Sequence, residues 1–220
     1  MNYTLHISAS AISTTVLLVV MFSISLITGV NQQYFETVDS YTAYLDALRS
    51  GDSVLRVLLT IDGLFIASYW LLGIFLVLAL WRDDRRFLLA LSVACISITA
   101  ILDLMENSEF IMFMESLKSE LAIPPSDIQK VMVMGLVKWA LAYFAFLFLG
   151  FVFPLTTKTE RAAAFIMKFV LLPIGILVFT LPASPALLYA HLARFVLLVV
   201  LLLLIATSAR NWGKNVVRSS

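Results

Sequence analysis

Long apolar stretches dominate this chain of 220 residues, and each is long enough to cross a lipid bilayer. A spanning helix needs roughly 20 mainly apolar residues, because its backbone polar groups must pair within the helix while its side chains face hydrocarbon. The predicted spans are 11–30, 55–81, 86–105, 131–153, 162–181 and 186–208. The sequence therefore predicts an all-α, polytopic membrane protein in which residues 1–220 form a single domain, a bundle of six transmembrane helices.

The composition argues against several classes of function. Hydrophobic residues make up 61% of the chain and charged residues 13%, which is about half the charged share of a soluble domain. The net charge is +1 and the basic residues are dispersed over short loops, so we expect no nucleic-acid partner. The single cysteine, Cys95, lies within an apolar span, which excludes an internal disulfide and a thiol-redox pair.

The first apolar segment, residues 11–30, is expected to be a retained span rather than a secretory signal peptide. No Lys or Arg precedes it, it is long enough to cross the whole bilayer, and no small-residue cleavage site follows it. The chain is therefore predicted to have an even number of spans, with both termini on one side of the membrane.

The distribution of Lys and Arg predicts which side that is, because cytoplasmic loops carry an excess of both. The loops and the tail on one side carry eight basic residues: Arg82, Arg85, Arg86, Lys158, Arg161, Arg210, Lys214 and Arg218. The loops on the opposite side carry Arg49, Arg56, Lys118 and Lys130 and are rich in acids. We therefore expect a bacterial-type inner-membrane protein with both termini in the cytoplasm.

Two amphipathic segments are predicted in the outer loops. In residues 34–49, apolar side chains including Val38 recur at three- and four-residue steps, and Gly51 is a suitable helix stop. Residues 106–121 are expected to continue the third span until Pro124 and Pro125 end the helix. The two segments either anchor the bundle at the membrane interface or roof an outward-facing cavity.

Ionisable residues inside the spans are the strongest functional signal, because burying them in a membrane costs free energy. A rise of 1.5 Å per residue places charged groups from four helices at one depth, in the outer half of the bilayer. Tyr69 and Asn107 lie on the same helix faces as these groups. The predicted ligand-binding set is Asp62, Tyr69, Asp103, Glu106, Asn107, Lys138, His191 and Arg194, with the acids facing Lys138 and Arg194 across a polar cavity.

Two other interpretations of these residues are open, and a third is disfavoured. They could form an interhelical ion-pair network that specifies packing. They could catalyse acid–base chemistry, with Asp103 and Glu106 as the carboxylates and His191 as a proton shuttle. A metal site is not expected, because the spans contain one histidine and two cations lie at the same depth. No cofactor is predicted.

The function favoured by the sequence is binding, and with it transport, of a lipid or small amphiphile in the charged cavity. The alternatives are an intramembrane enzyme that uses its carboxylates and a non-catalytic subunit of a membrane complex. Membrane lipid is the expected surrounding partner, together with another membrane protein or a second copy of the chain.

Overall fold

The computed structural model describes residues 3–36, 40–181 and 184–218, of which the final turns are described by backbone alone. The α-helices are α1 (Thr4–Thr28), α2 (Tyr41–Leu80), α3 (Arg86–Lys118), α4 (Pro125–Val152), α5 (Lys158–Phe165), α6 (Leu171–Thr180) and α7 (Pro185–Arg218). Short 3₁₀ helices cover Gln32–Glu36 and Asp83–Arg85, and a π-helical segment at Ile166–Val170 joins α5 to α6.

The prediction of an all-α membrane protein is confirmed. Six helical stretches are long and apolar enough to cross a membrane, with the α5–π–α6 stretch, Lys158–Thr180, forming one of them. The part of the chain that the structure describes contains no β-strand. The chain is therefore a multi-pass membrane protein.

Helices α2 and α3 are longer than the predicted spans. With 40 and 33 residues they rise about 60 and 50 Å, well beyond the ~30 Å of a hydrocarbon core. The helix predicted at 34–49 is therefore not a separate interfacial helix, since α2 runs unbroken from Tyr41 into its span. Gly51, expected to stop a helix, is buried inside α2, where an added Cβ would lie 3.2 Å from a Val30 methyl. Val38 lies outside the described residues.

The predicted extension of the third span is confirmed. Helix α3 continues through residues 106–118 and ends at Lys118, before Pro124 and Pro125. The chain then reverses through Glu120, which has a left-handed φ of 56°. The Tyr41 hydroxyl donates to the Ile123 carbonyl at 2.7 Å, which ties the start of α2 to this turn.

The six spans form a closed ring. Each packs against the spans before and after it in sequence, and α7 returns to pack against α1. The basic turns predicted to share one side lie at one end of this ring, which we term the basic end. There Arg85 Nη1 donates to the Val152 carbonyl at 2.9 Å, and Trp212 Nε1 donates to Glu160 Oε1 at 2.6 Å. The opposite end, built from the extended parts of α2 and α3, is termed the extended end.

Two apolar cores fill the ring. The core at the basic end includes Leu76, Leu89, Leu149 and Leu171, and the core at the extended end is built around Phe35, Tyr44, Leu55, Phe110 and Val131. The ionisable residues predicted inside the spans lie between these two cores. On α4, for example, Met134 belongs to the extended-end core and Tyr143 to the basic-end core, with Lys138 between them.

The fifth span contains the most irregular backbone. Pro173 has no N–H to donate to the preceding turn, and the helix accommodates this by widening, so that the Leu171 N–H bonds to the Ile166 carbonyl five residues back. Gly175 follows, and the Tyr143 ring packs directly on its backbone. A Cβ at residue 175 would lie 2.1 Å from Tyr143 Cε2, so α4 and α6 can approach this closely only because residue 175 is glycine.

We expect Gly175→Ala to destabilise the protein by about 1–3 kcal/mol, because the new methyl group must displace the buried Tyr143 ring. Gly63→Ala in α2 is the matched control, since its Cβ would meet nothing within 4 Å. That change should be neutral or slightly stabilising. Thermal unfolding in mild detergent compares the two variants, and an equal midpoint for both would contradict this packing.

Candidate functional site

Lys138 lies at the centre of a buried ion cluster. Its ammonium contacts three carboxylates: Asp103 Oδ1 at 3.0 Å, Glu36 Oε1 at 3.2 Å, and Glu106 Oε2. The side chains of Lys138, Glu36 and Glu106 are 7%, 4% and 1% exposed, and that of Asp103 is 15% exposed. We term these four residues the Lys138 cluster. The structure thus brings together two of the predicted acids and one of the predicted cations.

Local sequence explains why α3 and α4 place these groups so close. Asp103 and Glu106 are three residues apart, so they share one face of α3. One turn earlier on that face, the Thr99 hydroxyl donates to the Lys138 carbonyl at 3.2 Å. Gly135 precedes Lys138 by one turn on α4, and a Cβ there would lie 3.6 Å from Glu106 Oε1. This is ordinary van der Waals contact, so Gly135 lies against the carboxylates but is not required by them.

Glu36 is a member of the site that sequence reasoning missed. It lies in the 3₁₀ helix Gln32–Glu36, outside every predicted span. Its neighbour Phe35 anchors this segment in the extended-end core, with ring centroids 5.0 Å from Tyr44 and 5.4 Å from Phe110. An acid in a polar loop is usually solvated, and the only sequence signal here is the pair of aromatic residues that precedes Glu36.

Trp139 was also missed. Its indole N–H is shared between the two Glu36 carboxylate oxygens, each 3.1 Å away. The sequence shows this tryptophan next to Lys138, but an aromatic residue in an apolar span is ordinarily core. Only the folded loop shows that the indole nitrogen has a carboxylate partner.

Asp62, Tyr69 and Asn107 extend the network from α2 and α3. The Tyr69 hydroxyl donates to Asp103 Oδ2 at 2.5 Å. Asn107 Nδ2 donates to Asp62 Oδ2 at 2.7 Å, and Asn107 Oδ1 accepts from Gln32 Nε2 at 3.1 Å. Asn107 therefore links Asp62 to the same loop segment that supplies Glu36.

Arg194 does not face the acids as expected. Its guanidinium carbon lies 3.9 Å from the centroid of the Trp139 ring, and Nη2 is 3.2 Å from His191 Nδ1. Among the described residues no carboxylate oxygen comes within 4.0 Å of Arg194. His191 likewise contacts Arg194 and not Asp103 or Glu106, so the three predicted catalytic candidates do not meet as one group.

The described polar layer holds more acids than bases. Glu36, Asp62, Asp103 and Glu106 stand against the two cations Lys138 and Arg194. Buried like charges are unfavourable, so the excess favours protonation of a carboxyl group. Glu106 Oε1 is buried without a hydrogen-bond partner among the described residues, so the network is also not closed.

An open pocket of about 240 Å³ lies beside this layer, between α2 and α3. Its described lining residues are Arg56, Leu59, Thr60, Asn107 and Ile111. Of the predicted ligand-binding set, Asn107 belongs to this lining. Elsewhere in the set, Asp103 and Glu106 contact Lys138, while Arg194 contacts His191. At the rim, Arg56 Nη2 pairs with Asp52 at 3.2 Å and with Glu115 at 2.5 Å.

Comparison with protein-family models, with curated proteins and with solved structures finds no match for this chain. The described residues contain no group of three or more His, Cys, Asp or Glu side chains arranged to hold a metal ion. The geometry of the polar layer therefore carries the functional argument.

We expect Lys138→Met to destabilise the protein by about 3–5 kcal/mol, because it leaves three buried carboxylates without their cation. Lys130→Met on the same helix is the control: Lys130 is 58% exposed in its pair with Glu109, so its loss should cost less than about 1 kcal/mol. The free energy of unfolding in mixed micelles measures both.

A double variant tests whether the lost stability comes from unbalanced charge and not from the altered side-chain shape. Adding Glu106→Gln to Lys138→Met removes one of the stranded charges and should restore part of the lost stability. If Lys138→Met alone were as stable as the wild type, the ammonium would not be balancing ionised carboxylates.

Proposed function

We propose that this membrane protein binds a lipid or small amphiphile at the polar layer around the Lys138 cluster, as the binding step of a carrier. The observation that carries the proposal is the convergence of ionisable groups from α2, α3, α4, α7 and a loop segment on one buried layer with excess acid. Such groups are expensive inside a membrane and mark substrate or proton pathways in membrane proteins.

Helix adhesion alone is a weaker explanation of this layer. Replacing a buried ion pair with apolar residues is often neutral or stabilising, so stability does not require a cluster of three carboxylates on one lysine. The orphaned Glu106 Oε1 argues the same way, because a network built only for packing gains from full satisfaction of its polar atoms.

The pocket between α2 and α3 supplies an entry route for the ligand. It reaches the polar layer at Asn107, whose side chain amide already bonds to Asp62. Leu59 and Ile111 give the pocket an apolar wall suited to an acyl chain, while Thr60 and Asn107 offer polar atoms to a head group.

We propose further that the basic end faces the cytoplasm of a bacterial-type cell and the extended end faces outward. The basic residues of the turns after α2 and α4 and of the α7 terminus support this orientation, because Lys and Arg accumulate on the cytoplasmic side. In that orientation the polar layer is nearer the outer surface.

Native mass spectrometry of protein extracted in mild detergent tests the binding proposal. We expect the wild type to retain a discrete lipid-sized mass, and Asp103→Asn to lower its occupancy at least tenfold by removing a charge from the Lys138 cluster while keeping the shape. Glu109→Gln, which alters only the partner of the exposed Lys130, should retain the wild-type occupancy.

Two results would overturn the proposal. Protein that carries no small molecule, in the wild type as in the variants, would leave the polar layer with a structural role. Protein that copurifies with a partner chain and has the same lipid content in all variants would identify a subunit of a complex.

Cysteine labelling tests the orientation. In a Cys95→Ser background, Ser119→Cys probes the extended end and Asp83→Cys the basic end, and both positions are exposed. In intact cells a membrane-impermeant maleimide should label the Ser119→Cys variant alone, and after permeabilisation it should label both. Labelling of only the Asp83→Cys variant in intact cells would reverse the orientation.

A further inference from the structure

Arg194 is the most unusual charged residue in the described part of the chain, because its charge is buried without a partner of opposite sign. Its side chain is 1% exposed, and no described carboxylate oxygen lies within 4.0 Å. Lys138, at a similar level in the ring, has three carboxylates. A buried guanidinium that lacks a carboxylate is the counterpart expected for an anion supplied from elsewhere.

The guanidinium is held in a defined position. It lies over the Trp139 ring, with 3.9 Å between its carbon and the ring centroid, and Nη2 bonds to His191 Nδ1 at 3.2 Å. These contacts leave Nη1, which is buried and has no hydrogen-bond partner among the described residues. One N–H-bearing nitrogen is therefore oriented and free to donate.

A second free donor lies on the same aromatic stack. The Tyr143 ring packs near-parallel to Trp139, with 5.8 Å between the centroids, and its hydroxyl is buried without a hydrogen-bond partner among the described residues. The close contact between its ring and Gly175 fixes the ring, and the Arg194 guanidinium lies next to the hydroxyl, just outside good hydrogen-bond geometry, so the two donors are adjacent. Two preoriented donors thus lie beside the half-buried indole of Trp139.

Neither donor bonds to a nearby carboxylate. Glu36, on the edge of the same indole, uses its carboxylate for the Trp139 N–H and the Lys138 ammonium. The four carboxylates of the layer belong to the Lys138 and Asp62 side of the network. The polar layer therefore has an acidic part and a separate cationic part.

We propose that Arg194 Nη1 and the Tyr143 hydroxyl form a binding site for a phosphate oxyanion. This inference rests on the proposed function and names the chemistry of the ligand's head group. Arg194 is nine residues into α7, about 14 Å along the helix from Pro185, so the phosphate would lie below the membrane surface and within the ring. A guanidinium and a hydroxyl donate to two oxygens of one phosphate.

Tyr143→Phe is the decisive variant, because it keeps the ring on Gly175 and Trp139 and removes only the hydroxyl. Because the hydroxyl is buried without a hydrogen bond of good geometry among the described residues, its removal should leave the unfolding midpoint without ligand unchanged or slightly higher. Affinity for the phosphate ligand should fall about tenfold, the loss expected for one hydrogen bond to a charged group. A merely structural tyrosine would not separate these two readouts.

The probes are phosphatidic acid, diacylglycerol with the same chains, and inorganic phosphate, each added to the purified full chain in mild detergent. We expect phosphatidic acid to raise the unfolding midpoint of the wild type, diacylglycerol to leave it unchanged, and both Arg194→Gln and Tyr143→Phe to weaken the effect. Arg210→Gln is the control for cationic attraction to the lipid, because Arg210 is exposed at the basic end of the same helix.

Each outcome has one meaning. Stabilisation by inorganic phosphate alone, lost in Tyr143→Phe, supports the oxyanion site with a free phosphate as its source. Equal stabilisation by diacylglycerol, or wild-type affinity for phosphatidic acid in Tyr143→Phe, overturns the site.

If Asp103→Asn loses the copurified lipid while Tyr143→Phe binds phosphatidic acid normally, the proposed function is retained and the phosphate site is rejected. The converse result retains the site and rejects the amphiphile cavity.

Discussion

The buried ammonium of Lys138 is the constraint on which the extended end of this protein depends. A lysine that is 7% exposed cannot remain charged without nearby counter-charges, and this chain supplies them from α3 and from the loop after α1. Other features follow from that need. Phe35 anchors the segment that carries Glu36, and the long α2 and α3 form the aromatic core into which Phe35 packs.

The separation of the polar layer from the rest of the ring gives the molecule three strata. An aromatic-rich core lies toward the extended end, the ion network lies in the middle, and an aliphatic core lies toward the basic end. Charged groups in the middle stratum are shielded from water on both sides, which strengthens each interaction and raises the cost of each missing partner. Glu106 Oε1 and Arg194 Nη1, which have no hydrogen-bond partner among the described residues, therefore cost more free energy here than they would at a surface, and they point to a ligand more strongly.

Much of the fold could be predicted from the sequence, because apolar length decides whether a helix can cross a membrane. The depth argument also selected Asp103, Glu106 and Lys138, which are close in space because a fixed rise per residue converts sequence position into height. The same argument could not find Glu36, since a loop has no fixed rise per residue. It also could not find the contact between Arg194 and Trp139, since height along a helix does not determine which way a side chain points around it. It also missed the continuity of α2 through Gly51, where packing against Val30 favours glycine without ending the helix.

The position of Phe35 next to Glu36 links the packing of the extended-end core to the charges of the Lys138 cluster. The phenyl ring is held by aromatic neighbours near the extended end, while the adjacent carboxylate contacts an ammonium among the spans. The two residues are adjacent in one short 3₁₀ helix, so a displacement of the ring would also displace the carboxylate. Displacing the buried ring from its aromatic neighbours would therefore also withdraw a carboxylate from the Lys138 ammonium, so packing in the extended-end core is coupled to the charge balance of the polar layer.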